Sequence, residues 1–88
     1  MKLKLSFETM ELDDQIVAIP VGEFRESYQG VIVVNETGAL ILKLLMEETS
    51  EEEIVQRLCE SYEVSEERAA ADARKYIEEF RKRDFLME

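Results

Sequence analysis

The feature that most constrains the fold of this chain is a change in the spacing of its apolar residues near Asn35. Before it, Leu3, Leu5 and Phe7 alternate with polar residues, a period of two that is typical of a half-buried strand. After it, apolar residues recur every three or four positions, as on one face of a helix. We therefore predict an α+β fold, with strands within about residues 2–34 and helices within about residues 36–84.

The length of the chain limits it to a single domain. Small domains bury proportionally less surface, so in 88 residues nearly every apolar side chain is needed for one core. We expect residues 1–88 to form that one domain.

Three strands are expected in the first part of the chain. The first contains Leu3 to Phe7, and the second is Ile16–Ile19, which we expect Pro20 to end because proline cannot donate to a ladder. Residues 22–30 are polar and predict a loop. The third strand, Val31–Val34, is apolar on both faces, so its pattern leaves open whether it is a buried central strand or an edge.

Three helices are expected in the second part. Asn35, Ser50 and Ser65 are N-cap residues by type and position, and Ser50 opens a capping box. The first helix is apolar almost all round, so we expect it to be the central buried helix. We expect Phe85 and Leu86, after the last helix, to fold back onto the core. Three short helices joined by tight turns also resemble a winged helix-turn-helix.

The residue types present exclude most catalytic and metal chemistry. The chain has no histidine and one cysteine, Cys59, which removes Cys/His zinc sites, Ser-His and Cys-His nucleophilic pairs, and internal disulfides. Its three glycines are isolated, so no phosphate-binding glycine run exists. We predict a protein that is not an enzyme and needs no cofactor, with Cys59 as a small buried apolar residue.

Charge and hydropathy narrow the class of partner. The net charge of −10 disfavours nucleic acid and anionic membrane surfaces, because both require clustered Lys and Arg. No apolar run approaches the ~20 residues needed to cross a bilayer, and no signal peptide is recognisable, so we expect a cytoplasmic protein. Peptide binding at the edge of a sheet remains, and Val31–Val34 is the best candidate edge.

The motifs of the chain resemble those of the coenzyme PQQ synthesis protein D family, and the resemblance covers nearly the whole sequence. Asn-Glu-Thr-Gly-Ala at 35–39, after a strand and before a leucine-rich helix, is its most specific piece. The other matching segments are Ile16–Glu23, Gly30–Val34, Leu44-Leu45, Thr49–Ile54, Tyr62–Val64, Asp72 with Tyr76 and Phe80, and Phe85-Leu86.

The resemblance implies a fold, a function and a site. The implied fold is three antiparallel strands followed by three helices in a winged-helix-like arrangement. The implied function is recognition of the leader region of a precursor peptide, which is presented to a modifying enzyme, often a radical S-adenosylmethionine enzyme. In that family the leader adds as a strand beside the third strand, in a groove walled by the third helix. The peptide-binding residues predicted here are Val31, Ile32, Val33 and Val34 on the strand and Asp72 and Tyr76 on the helix, together with Arg68, Lys75 and Glu79, which helix geometry places on the same shoulder as Asp72.

Helix geometry agrees with the positions of the implied peptide-binding residues on the third helix. If Ala69, Ala73, Tyr76 and Phe80 face the core, a step of about 100° per residue puts the charged positions of the third helix, Asp72 among them, on one shoulder of the apolar stripe. Aspartate is a poor residue for a helix interior, which favours a functional reason for it.

The chain departs from the family pattern at two places. It has Leu40-Ile41-Leu42 where members often have a tryptophan, and Asp84-Phe85-Leu86 where many have a Gly-Leu-Leu-like turn. Both segments keep apolar residues where the family has them. They leave open which modified peptide the protein helps to make.

Two alternative functions stay open at this point. One is a winged-helix DNA-binding regulator, which the acidic second helix opposes because it carries four glutamates against Arg57. The other is a structural dimerisation module that pairs the Val31–Val34 edge with that of a second copy.

Overall fold

The computed structural model describes residues 1–21 and 30–88 of the chain. In these residues the elements follow the order strand, strand, strand, strand, helix, helix, helix, strand. They are β1 (Lys2–Leu3), β2 (Ser6–Leu12), β3 (Gln15–Val21), β4 (Ile32–Val34), α1 (Glu36–Leu44), α2 (Glu51–Ser61), α3 (Glu66–Lys82) and β5 (Leu86–Met87).

The main sheet has the strand order β2-β3-β4 and is antiparallel throughout. A tight turn at Asp13-Asp14 joins β2 to β3, and Asp13 adopts a left-handed backbone with φ 56°. The predicted α+β class, with three antiparallel strands followed by three helices, is confirmed. The likeness of the helices to a winged helix-turn-helix stays a prediction.

The predicted first strand is in fact two strands in two different sheets. Leu3 belongs to β1, which pairs with β5, whereas Phe7 belongs to β2. Between them, the Lys4 N–H donates to the carbonyl of Phe85 at 2.7 Å, and the Leu3 N–H donates to that of Leu45 at 2.8 Å. The alternation of buried side chains continues through the break, which is why the sequence pattern shows a single strand.

The prediction that Pro20 ends the second strand is wrong, because β3 continues to Val21 and Pro20 is in register with Phe7. β4 pairs only with Ile16, Val17 and Ala18 of β3. Pro20 therefore lies beyond the stretch with strands on both sides, where proline is tolerated as it is at a sheet edge.

The helices begin where their capping residues predict. The Asn35, Ser50 and Ser65 side chains accept the N–H of the residue three positions later at 2.9, 3.2 and 3.1 Å. The capping box at Ser50 is half formed, because the Glu53 carboxylate accepts the Thr49 hydroxyl at 2.7 Å.

The core lies between the inner face of the sheet and the helices. The largest fully buried side chains are Ile41, Leu42, Leu45, Ile54, Leu58, Phe80 and Phe85. Phe85 and Leu86 are buried, which confirms that the end of the chain folds back. Phe85 lies 5.4 Å from Phe7 and 6.2 Å from Phe80, centroid to centroid, and so joins β2 to α3.

Two further predictions concern Cys59 and the loop at residues 22–30. Cys59 is half-buried rather than buried, because its position on α2 lies at the margin of the core. The predicted loop at 22–30 lies outside the described residues except for Gly30, whose φ of +129° is a conformation that favours glycine. No helix in the described part of the chain is long and apolar enough to cross a membrane.

Candidate functional site

The site begins with the position of β4 at one edge of the main sheet. Its side chains alternate, with Ile32 and Val34 buried in the core and Val33 exposed. Among residues 1–21 and 30–88, no strand pairs with the side of β4 that faces away from β3. An edge strand of this kind presents backbone N–H and C=O groups that can pair with an added strand.

Asn35 connects the end of β4 to α3. Its side-chain oxygen accepts the Gly38 N–H at 2.9 Å, which caps α1, and also the Tyr76 hydroxyl at 2.9 Å. Because Asn35 directly follows Val34, this shared acceptor fixes the middle of α3 against the end of the edge strand. Tyr76 is half-buried, and its ring packs on Phe80 at a centroid distance of 5.9 Å.

Gly38 makes room for the Tyr76 ring. A β-carbon at position 38 would lie 2.7–2.8 Å from the Cε1, Cζ and hydroxyl atoms of Tyr76, closer than packed atoms approach. Any larger residue at 38 therefore forces the ring away from Asn35. The second contact of Asn35 and the need for glycine at 38 are roles that sequence reasoning missed. The available signal was a glycine inside a helix, where it costs about 1 kcal/mol relative to alanine.

The charged residues predicted for the site lie on α3. Asp72 is half-buried and pairs with Arg68 one turn earlier at 3.6 Å. Glu79 accepts from the Arg83 guanidinium at 3.1 Å, and Lys75 is exposed. Ion pairs one turn apart on an exposed helix face are weak, so a guest peptide can replace them at little cost.

The structure brings only part of the predicted set together. Tyr76 is the member of α3 that reaches the β4 end, through Asn35, while Arg68 and Glu79 are engaged along their own helix. Ile32 and Val34 point into the core, so their side chains are not available to a guest peptide.

Away from this site, a concavity of about 650 Å³ lies between α2 and α3 and is lined by Val55, Cys59 and Ala70 with glutamates around them. Ala70 and Asp72 are two positions apart on α3, or about 200° around the helix, so this groove is on the other side from the predicted site. In residues 1–21 and 30–88, no cluster of Cys, Asp and Glu side chains could hold a metal ion.

Comparisons with known proteins agree with this architecture. The structure of TbiB1 in complex with the TbiA(beta) leader peptide matches with a TM-score of 0.70 at 23% sequence identity, over 98% of this chain and 94% of that chain. The structure of lasso peptide synthetase B1 complexed with the leader peptide matches with a TM-score of 0.68 at 21% identity, over 99% and 96%. At such identities the likeness shows a shared fold.

Sequence comparison supplies the family. No curated protein matches the chain significantly. The family model described as coenzyme PQQ synthesis protein D matches residues 9–86, which include every helix and the whole of β3 and β4. The chain therefore belongs to the coenzyme PQQ synthesis protein D family.

Proposed function

We propose that this protein is a non-catalytic adaptor that binds the leader region of a ribosomally made precursor peptide. The leader adds as an antiparallel or parallel strand to the free edge of β4, and the protein presents it in the cytoplasm to a modifying enzyme such as a radical S-adenosylmethionine enzyme. The two structural neighbours, TbiB1 and lasso peptide synthetase B1, are each described in complex with a leader peptide.

The observation that carries this proposal is the edge position of β4 next to the Asn35–Tyr76 contact. The edge supplies main-chain hydrogen bonds that any extended peptide can use, and these give affinity without sequence preference. β4 is short, so the ladder alone provides few bonds. The half-buried Asp72 and Tyr76 on α3 supply the side-chain contacts from which specificity arises.

The charge distribution disfavours the alternative of a DNA-binding regulator. A recognition helix must approach phosphates, and the exposed side of α2 carries Glu52, Glu53 and Glu60. With a net charge of −10, the protein would be repelled by nucleic acid at low salt, where such binding is strongest.

The first test replaces Val33 with proline and measures by calorimetry the affinity for the leader region of the precursor peptide. Proline removes a backbone N–H from β4 and stiffens the edge, so we expect affinity to fall about tenfold or more, equivalent to ~1.4 kcal/mol. Val33→Thr is the matched control, because it keeps the N–H and the β-branched shape, and its affinity should stay close to that of the parent protein.

Amide hydrogen exchange tests leader binding at β4 in the unsubstituted protein. Binding of the leader should slow exchange at the outward N–H groups of Val31–Val34, because these become donors in a new ladder. A leader that binds tightly while exchange at β4 is unchanged would place the peptide elsewhere and contradict the edge site.

A further inference from the structure

The face of the main sheet that points away from the helices carries exposed apolar side chains on β2 and beside β4, with the buried Val17 of β3 between them. Met10, Val17 and Val33 are register partners across β2, β3 and β4, so their side chains form one row on this outer face. Met10 is 50% exposed and Val33 is 58% exposed.

The row extends in both directions along the strands. By alternation, Leu12 shares the outer face with Met10, and Val31 shares it with Val33; they are 54% and 51% exposed. An antiparallel sheet with one face on the core normally has a polar second face. Exposed apolar side chains grouped on one face in this way mark a surface that binds another macromolecule.

The charges next to this outer face indicate the charge of the surface that can bind it. By alternation Glu8 lies on this face, Asp13 and Asp14 form the turn at its end, and residues 6–21 and 30–34 contain no Lys or Arg. A second copy docking by the same face would bring two acidic hairpins together, which costs energy through like-charge repulsion. A surface with apolar side chains bordered by Lys and Arg is the complementary partner.

We propose that the exposed part of the outer face, defined by Met10, Leu12, Val31 and Val33, docks a basic-bordered apolar surface of the modifying enzyme. This inference rests on the proposed function, since it assumes that an enzyme receives the leader. A leader strand added at β4 would widen the same sheet by one strand. The bound leader would then lie directly beside the docked enzyme, which is the geometry that presentation requires.

The test uses a synthetic amphipathic peptide of leucine and lysine as the probe, with a leucine and glutamate peptide as its control. Amide chemical-shift changes on ¹⁵N-labelled protein should map to Met10, Val17 and Val33 with the lysine peptide and be absent with the glutamate peptide. Met10→Gln combined with Leu12→Gln should weaken the binding about tenfold or more, because exposed apolar anchors carry most of the energy at such surfaces. Met87→Gln is the matched control, because Met87 is 48% exposed on β5, outside the outer face.

Three outcomes would overturn the inference. The first is that the lysine peptide shifts residues of the α2–α3 groove instead, and the second is that its affinity is insensitive to the Met10 and Leu12 changes. The third is a dimer in sedimentation that these changes dissociate, which assigns the face to a second copy. The leader is titrated separately: failure of leader binding with intact probe binding refutes the proposed function alone, and the reverse result refutes only the docking face.

Discussion

At the scale of single residues, Asn35 is the side chain on which the most structure depends. One amide oxygen both caps α1 and accepts the Tyr76 hydroxyl, so it couples the edge strand to α3. The Asn-Glu-Thr-Gly-Ala segment is the most specific part of the family resemblance. Its first and fourth residues now have a joint physical reason, since Gly38 leaves the space that the Tyr76 ring occupies.

A double-mutant cycle tests this coupling. Tyr76→Phe should lower the free energy of unfolding by about 1 kcal/mol, because it deletes the hydrogen bond to Asn35. Gly38→Ala gains helix propensity of about 1 kcal/mol but displaces the ring and breaks the same bond, so the two effects nearly cancel. In the Gly38→Ala protein, Tyr76→Phe should therefore cost almost nothing. Urea unfolding of the four proteins measures the coupling, and strict additivity would contradict it.

Asp72 gives a second prediction at this scale. Asp72→Lys should reduce affinity for the leader while changing the free energy of unfolding by less than ~1 kcal/mol, because within residues 1–21 and 30–88 the interaction that its carboxylate loses is a partly exposed ion pair with Arg68. Glu78→Lys makes the same charge change about 120° around α3 and should leave affinity unaltered. Calorimetry and thermal unfolding check both variants; an unfolded Asp72→Lys protein would show that Asp72 is structural.

At the scale of elements, the end of α3 explains one departure from the family pattern. The Phe85 N–H donates to the Phe80 carbonyl at 2.9 Å, and the Asp84 N–H donates to that of Arg81 at 3.0 Å. These are the two bonds of a Schellman motif, with Asp84 in the left-handed position at φ 59°. Glycine is the usual residue there, which is why family members with a Gly-Leu-Leu-like turn can keep the same helix end.

The Asp84 position can be tested with two substitutions. Both Asp84→Gly and Asp84→Ala lose the ion pair with Lys4, which measures 2.7 Å. Only alanine retains the left-handed strain, so the glycine variant should exceed the alanine variant in unfolding free energy by about 1 kcal/mol. Chemical denaturation of the pair measures this difference, and equal stabilities would argue against strain at this residue.

An element could be predicted from the sequence when the residues that determine it lie close to it in the chain. Helix starts are set by side chains within four residues, so Asn35, Ser50 and Ser65 were sufficient to locate them. The break between β1 and β2 and the continuation of β3 through Pro20 depend on which distant strands pair. Those partners are not local, and a period of two cannot distinguish them.

At the scale of the whole molecule, the hardest question for the sequence was whether Val31–Val34 lies at an edge of the sheet or at its centre. Val31–Val34 is apolar on both sides, and buried strands have the same pattern. The structure gives the physical reason for the ambiguity: one side of that strand faces the core and the other belongs to the exposed outer face. The charged shoulder of α3 follows from helix geometry, but its relation to β4 depends on the Asn35–Tyr76 contact, which no periodicity reveals.

The pairing of β1 with β5 has a consequence for how such a domain can be used. Lys2 and Met87 are ladder partners, so the polypeptide enters and leaves the fold at almost the same point. A domain whose two ends are adjacent can be inserted into a surface loop of a larger protein without distorting that protein, because bringing the ends together costs little loop-closure entropy.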